Sequence, residues 1–384
     1  MDAMLELDAF AFGGSAVGTL PEGKRCFVRG GAPGDLVKVR ITSDKKNFAT
    51  AELLEVLKPS PDRIKPFCPY FPQCPGCSYQ MVPYETELHW KQKQFERFLV
   101  HSGLAEPAVV KPPAGAPARS GWRNKIQFTY RNGIRGYLGE DNRSLLEIAD
   151  CPLARMDLRN LAIRTPVPQT EEGKVTFRSS ADGAVTVTGE TRESLLRETL
   201  SGYDMKVPAG SFFQINTAAF ELLIREFQEL LNGISFNLFA DLYCGSGTFS
   251  LLAAANGAEE VFGIELDRLA VRTAEENLKQ FPACRSRFVA GDASVMFSEL
   301  RKSARKDVLM LVDPPRTGLS KDLCCKICQS SLRKMIYVSC GPDTLARDLK
   351  ILCNGDRPWK ICSARMVDLF PSTAHFESII LMIR

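Results

Sequence analysis

The sequence predicts an α/β protein in which a doubly wound parallel sheet fills the C-terminal half, behind an N-terminal β-barrel and a central antiparallel β region. Three observations carry this reading. Asp241, Glu265, Asp292 and Asp313 each close or follow an apolar run, with helical patterns between them, as strands alternating with helices require. Val37, Val39 and Ile41 alternate with Lys38 and Arg40, and Gly13, Gly14, Gly30 and Gly31 punctuate turns, which describes the short strands of a small barrel. Between these regions, Ile126, Phe128 and Tyr130 alternate ahead of Asn132-Gly133, and Val175, Phe177, Val185 and Val187 flank Asp182-Gly183. Both dipeptides favour two-residue hairpin turns.

The punctuation supplies the boundaries. Pro59, Pro61 and Pro66 cannot extend a sheet or helix and mark a linker. A helix is expected over 84–100, with Leu88, Phe95 and Leu99 on one face, and Pro112, Pro113 and Pro117 form a second break. The chain therefore divides into residues 1–60, 61–205 and 206–384, and the strands near 360–370 and 376–383 should close the last sheet as an antiparallel pair. With 384 residues, 45% of them hydrophobic, each unit can build a core.

Charge alone names no partner, since 49 Lys and Arg against 45 Asp and Glu leave only +4. Locally, Lys45-Lys46, the stretch 119–125, Arg131 and Arg135 interleave with Trp122, Phe128 and Tyr130, a mixture suited to gripping and stacking on single-stranded RNA. The first eight residues are too acidic for a secretion signal and no apolar run is of membrane length, so a cytosolic location is expected.

Thirteen cysteines in a cytosolic chain call for an explanation other than disulfides. Cys68, Cys74 and Cys77 fall within ten residues among prolines and glycine, a spacing that fits metal or cluster ligation, and Cys151 is the candidate fourth ligand. Four thiolates suit an iron–sulfur cluster or zinc. Cys324, Cys325 and Cys328, at helical spacing, read as core residues.

The last strand of the parallel set, 335–338, leads to Cys340, with Pro342 and Asp343 suited to the first turn of a following helix. A thiol there feels the positive end of the helix dipole, which favours thiolate. Upstream, a strand runs into Gly245-Ser246-Gly247 and then a helix, a turn that lets backbone approach a nucleotide-like ligand. A dinucleotide fingerprint would need glycine where Ser250 stands, so nicotinamide is disfavoured. Glu265 lies twenty residues past Gly245, where a carboxylate can accept from ribose hydroxyls. In Asp313-Pro-Pro-Arg316 the prolines fix a turn that aims the acid and Arg316 into the crevice, and Arg316 stands where amino-group methyltransferases carry a stacking aromatic.

With these motifs together, the chain resembles the RNA uracil-5 methyltransferase family, in particular its 23S ribosomal RNA branch with a TRAM barrel and an iron–sulfur cluster, over nearly its whole length. The resemblance implies a Rossmann-like class I methyltransferase domain that uses S-adenosylmethionine. It makes Cys340 the nucleophile and Glu377, in His375-Phe-Glu377, the base that takes the carbon-5 proton. It places Gln214, Tyr243, Gly245, Gly247, Thr248, Glu265, Asp292 and Asp313 around the cofactor, and gives Cys68, Cys74, Cys77 and Cys151 a [4Fe-4S] cluster. Gly341 departs from the asparagine of many relatives, and Thr248 from that of some tRNA-specific ones. The expected partner is an unpaired or flipped uridine of 23S ribosomal RNA, acted on by a monomer. A tRNA uracil-5 methyltransferase and a noncatalytic ribosome-assembly protein are the alternatives.

Overall fold

The computed structural model describes residues 2–169, 172–301, 307–355 and 357–384. Strands β1 (Asp2–Phe10), β2 (Ala16–Thr19), β3 (Arg25–Val28), β4 (Leu36–Asp44) and β5 (Phe48–Lys58) close a barrel in the order β1-β2-β3-β5-β4. The predicted alternation is real: Val37 and Val39 are fully buried with Leu5, Leu7 and Val28, while Lys38 and Arg40 face outward. The proline linker does not hang free, because Asp35, buried in the barrel, accepts from Ser60 N and pairs with Arg63.

Helix α1 (Tyr84–Leu99) begins after Pro83 and buries Phe95 and Leu99 in the core of the C-terminal sheet. The central sheet comprises β6 (Lys125–Arg131), β7 (Ile134–Leu138), β8 (Leu145–Glu147), β9 (Gly173–Ser180) and β10 (Gly183–Val187), ordered β10-β9-β6-β7-β8, with helix α2 (Met156–Arg164) packed on it. Asn132 and Gly133 both have positive φ and form the expected turn. The second hairpin is shifted by one residue: Gly183 pairs with Ser180, so Ala181 and Asp182 make the loop. A further hairpin, β11 (Leu195–Leu200) and β12 (Tyr203–Pro208), straddles the boundary expected at 206, and its Leu200, Met205 and Val207 pack into the C-terminal core.

The C-terminal region runs α3 (Thr217–Asn232), β13 (Leu238–Leu242), α4 (Thr248–Ala255), β14 (Glu260–Glu265), α5 (Arg268–Leu278), β15 (Arg285–Ala290), α6 (Ala293–Arg301), β16 (Val308–Val312), α7 (Lys321–Gln329), β17 (Lys334–Ser339), α8 (Pro342–Cys353), β18 (Lys360–Val367) and β19 (Glu377–Ile383). The sheet order is β15-β14-β13-β16-β17-β19-β18, parallel through β17, with β19 antiparallel to both neighbours. Strand order reverses between β13 and β16, and open α/β sheets bind ligands at the carboxyl ends flanking such a reversal. The chain at 110–114 bridges to Ala364 and Val367, covering the edge that β18 would expose.

Two expectations about exposure fail. Trp122 and Phe128 are 5% and 1% exposed, so they form core rather than a stacking surface. Alternation along β6 turns Phe128 inward with Ile126 and Phe177, and Trp122 packs on Phe370. Asp241 is also not a crevice-facing acid: it is fully buried and accepts from Ser250 N and Oγ, tying α4 to β13.

Candidate active site

The turn between β13 and α4 is shaped by backbone. Tyr243, Gly245 and Gly247 have φ of 67°, 53° and 83°, and a Cβ on Gly247 would stand 3.0 Å from that of Ala274 on α5. Glu265, at the end of β14, locks the turn: one carboxylate oxygen accepts from Gly245 N and the other from Leu266 N and Asp267 N. Asn277 donates to Ser246 O from the far side. Thr248 heads α4, its Oγ1 3.6 Å from Met205 Sδ. Asp292 caps α6 by accepting from Ser294 N and Oγ, and these hydrogen bonds hold its carboxyl below the usual range. Gln214 is buried, and its carbonyl accepts from Asn124 Nδ2, so the central sheet positions this loop.

Asp313 follows β16 directly, with its N–H on Leu242 O. Burial and the nearby Asp241 and Glu265 push its carboxyl up to about 8. Arg316 lies exposed beyond the two prolines, and its carbonyl accepts from Thr344 Oγ1 on α8.

Cys340 and Glu377, expected as nucleophile and base, are brought together by strand register. Ser339 on β17 pairs with Ser378 on β19, so the next step places Cys340 opposite Glu377, and residues directly opposite share a face. Their electrostatics agree. Glu377 and Asp313 both raise the Cys340 thiol, burial raises it most, and it stands at about 12. Sequence reasoning expected the helix dipole to favour thiolate here; desolvation and two acids outweigh that dipole in the free protein. Glu377 is only 4% exposed, with Oε2 lacking any partner, and burial with Asp313 holds its carboxyl well above the ordinary value while Arg316 opposes. Burial and the cations Arg316, Lys91 and Arg123 depress His375 to about 4, keeping it neutral. Gly341 heads α8, and a Cβ there would meet Thr344 Oγ1 at 2.7 Å, which accounts for glycine beside threonine in this chain.

Cys68, Cys74, Cys77 and Cys151 line one cavity with Tyr137, Gln80 and Arg123. Gln80 faces the Cys77 thiol and Tyr137 the Cys151 thiol, while Arg123 Nε is buried with no hydrogen-bond partner among the described residues, so the lining offers donors to an electron-rich acceptor. Arg29, beyond β3, donates to the carbonyls of Pro72, Cys74 and Cys77, fixing the cysteine loop to the barrel. Among the described residues no three His, Cys, Asp or Glu side chains are close enough to hold a single metal ion.

Sequence reasoning missed the support of this site. Glu87, Lys91 and Asp368 are all fully buried, and Lys91 Nζ donates to both acids at 2.8 Å. Lys91 also reaches Phe370 O, Glu87 accepts from Ser372 N, and Ser78 N donates to Ser372 O. This clamps the segment that leads into Glu377 and leaves Ser372 in the left-handed region at φ 69°. The available signal was Glu87 and Lys91 lying in line with Phe95 at i, i+4, i+8, inside the buried stripe of α1.

A family model described as tRNA (Uracil-5-)-methyltransferase matches residues 193–384, and a TRAM domain model matches 6–54. A tRNA (uracil(54)-C(5))-methyltransferase of Schizosaccharomyces pombe is 32% identical, covering 91% of this chain and 71% of its own. The chain belongs to the RNA uracil-5 methyltransferase family. It is an S-adenosylmethionine-dependent enzyme that methylates carbon 5 of uracil in RNA, and its N-terminal barrel contains the TRAM domain. An uncharacterized RNA methyltransferase of Nitratidesulfovibrio vulgaris is 29% identical, covering 98% of this chain and 94% of its own. The fold matches that of a Pyrococcus abyssi tRNA (uracil-54, C5)-methyltransferase solved with S-adenosyl-L-homocysteine, with a TM-score of 0.74 at 22% identity and full coverage of both chains. No helix among the described residues of this uracil-5 methyltransferase is long and apolar enough to cross a membrane.

Proposed function

We propose that this enzyme methylates a uridine of 23S ribosomal RNA through a covalent adduct with Cys340, with Glu377 as the base. The observation that supports the mechanism is the β17–β19 register, in which Ser339 pairs with Ser378 and Cys340 and Glu377 follow as the next opposed residues. Uracil carbon 5 is a poor nucleophile, so Cys340, once its thiol proton has passed to solvent, adds as thiolate at carbon 6 and generates an enolate whose carbon 5 takes the methyl group. S-adenosylmethionine would be held by Gln214, Tyr243, Gly245, Gly247, Thr248, Glu265, Asp292 and Asp313, and would supply an electrophilic methyl group. Glu377 then takes the carbon-5 proton and Cys340 leaves, restoring the ring. Arg316, which lowers the Glu377 carboxyl, favours the ionised form that this step needs. A base-paired uridine hides carbons 5 and 6, so the target is unpaired or flipped.

In this reading residues 1–60 and 61–205 grip RNA and 206–384 carry out methyl transfer, in a cytosolic monomer. The cavity lined by Cys68, Cys74, Cys77 and Cys151, with donors on Gln80, Tyr137 and Arg123 around it, fits a [4Fe-4S] cluster whose sulfides would accept hydrogen bonds. Methylation has no redox step, so these four residues serve to order the loop. The TRAM barrel together with the four-cysteine site supports ribosomal RNA, whereas the name of the S. pombe relative favours tRNA. Mapping 5-methyluridine in both RNAs, with and without the gene, decides between them. For the mechanism, Glu377→Gln should accumulate methylated RNA bound to Cys340 on denaturing gels, and Cys340→Ala should form neither adduct nor product. Wild-type turnover by Cys340→Ala would end the proposal.

A further inference from the structure

Outside the crevice, the central sheet carries a cluster of cations. Lys125 on β6 lies directly opposite Arg178 on β9, so two cations share one face of an antiparallel pair, an arrangement that destabilises a sheet unless an anion intervenes. Arg178 is accounted for: it is 1% exposed, lies 3.5 Å from Glu198, and donates to Pro208 O. Lys125 is not. It is half-buried and makes no hydrogen bond or ion pair with any described residue, and burial together with Arg178 and Arg192 lowers its pKa. Arg192 is exposed, and its side chain runs over Gly210, where a Cβ would meet its Cγ at 2.1 Å. It forms no ion pair within 4 Å with any described residue; the nearby Asp267 feels its charge but is hydrogen-bonded by Ser211 Oγ and Leu269 N. Lys174, opposite Thr129 and exposed, continues the same face.

The position of this face matters as much as its charge. Asn124, next to Lys125, bonds the carbonyl of Gln214, and Arg192 O accepts from Gly210 N in the loop that leads to Gln214. Resting on the RNA reading, we propose that Lys125 and Arg192 form a phosphate-binding site that holds the backbone of the RNA strand beside the target uridine. The site is left cationic because its counter-ion arrives with the substrate. A phosphate there would relieve the Lys125–Arg178 repulsion and fix the strand where Gln214 meets the crevice.

The test is the salt dependence of oligouridylate binding by the full-length enzyme and its Lys125→Gln and Arg192→Gln variants. Each single substitution should reduce the slope of log affinity against log salt by about 0.7, and the double substitution by about twice that. Lys125→Arg should retain the wild-type slope. Binding of S-adenosylmethionine should not change, and the melting temperature of Lys125→Gln should equal or exceed that of wild type, because a repulsion is removed. A single neutral methylphosphonate linkage, moved along the RNA, should weaken wild type at the phosphates held here and leave the Lys125→Gln/Arg192→Gln double variant unaffected at those positions. An unchanged slope in Lys125→Gln, with wild-type RNA binding intact, overturns the site while leaving the enzymatic reading in place. Melting-temperature protection by inorganic phosphate without a change of RNA slope would assign the site to free phosphate and equally overturn it. Failure of the wild type itself to bind or methylate RNA would instead strike the functional reading.

Discussion

Replacing Lys91 with methionine should be among the most damaging single changes in the chain outside the reacting residues. The substitution keeps the length of the side chain on α1 and removes the cation that bonds Glu87 and Asp368 at 2.8 Å, leaving two carboxyl groups with fully buried side chains and only Arg119, 3.8 Å from Glu87, among the described cations in ion-pair range. Removing one partner of a buried ion pair typically costs about 3–5 kcal/mol, mostly because the remaining charge is stranded. Here the cost is expected at the top of that range, since two acids are stranded and Phe370 O loses a donor as well. The sign of its pH dependence follows from Glu87, whose carboxyl burial and Asp368 already raise and Lys91 opposes. Without Lys91 the Glu87 carboxyl takes up a proton more readily, so the loss should shrink as pH falls. Urea unfolding monitored by circular dichroism gives the free energy, and a Glu87→Gln/Lys91→Met/Asp368→Asn triple variant provides the control, because neither buried carboxylate remains to be stranded and Arg119, which keeps its charge, is partly exposed. The triple variant should recover most of the loss. Under conditions where Lys91→Met stays folded, kcat should fall while S-adenosylmethionine affinity holds, because the clamp acts on the segment entering Glu377. A Lys91→Met protein within about 1 kcal/mol of wild type at neutral pH, or a triple variant less stable than the single, would refute the argument.

Glu265→Ala should weaken S-adenosylmethionine binding by roughly 1.5–3 kcal/mol, since it removes a charged acceptor and frees the N–H groups that shape the turn; unchanged calorimetric affinity counts against the role. Anaerobically purified protein should carry about four iron atoms per chain and Cys74→Ser should lose them while Cys340 still alkylates, whereas stoichiometric zinc in the wild type would reverse the cluster assignment. Asp313 has a folded pKa raised to about 8 and Asp241 one raised to about 7, so each contributes stability that is present below its unfolded value and lost as pH rises through its folded one. Unfolding free energy should therefore decline between about pH 4 and 8, less steeply in Asp313→Asn, and an identical slope in that variant would contradict the assignment.

Where a single period or a short motif sets the outcome, the sequence by itself was decisive. Alternation at Val37 and Val39 specified the barrel wall, the apolar runs ending at Asp241, Glu265, Asp292 and Asp313 specified the parallel strands, and Pro342 after Cys340 specified a helix start. These are local properties, because a strand or helix must present its apolar face with its own period. Long-range features were decided only in three dimensions. Cys340 and Glu377 meet because β19 inserts antiparallel between β17 and β18, a pairing no spacing reveals. The thiol rises to about 12 because of what surrounds it, overriding the dipole that the sequence made visible. Trp122 and Phe128 read as surface aromatics until packing against Phe370 and Phe177 buried them. The Glu87–Lys91–Asp368 network joins residues 277 positions apart, and Lys125 faces Arg178 only across a strand register. Burial and charge pairing belong to the assembled chain, since they depend on which surfaces exclude water together, and that is settled when the elements pack.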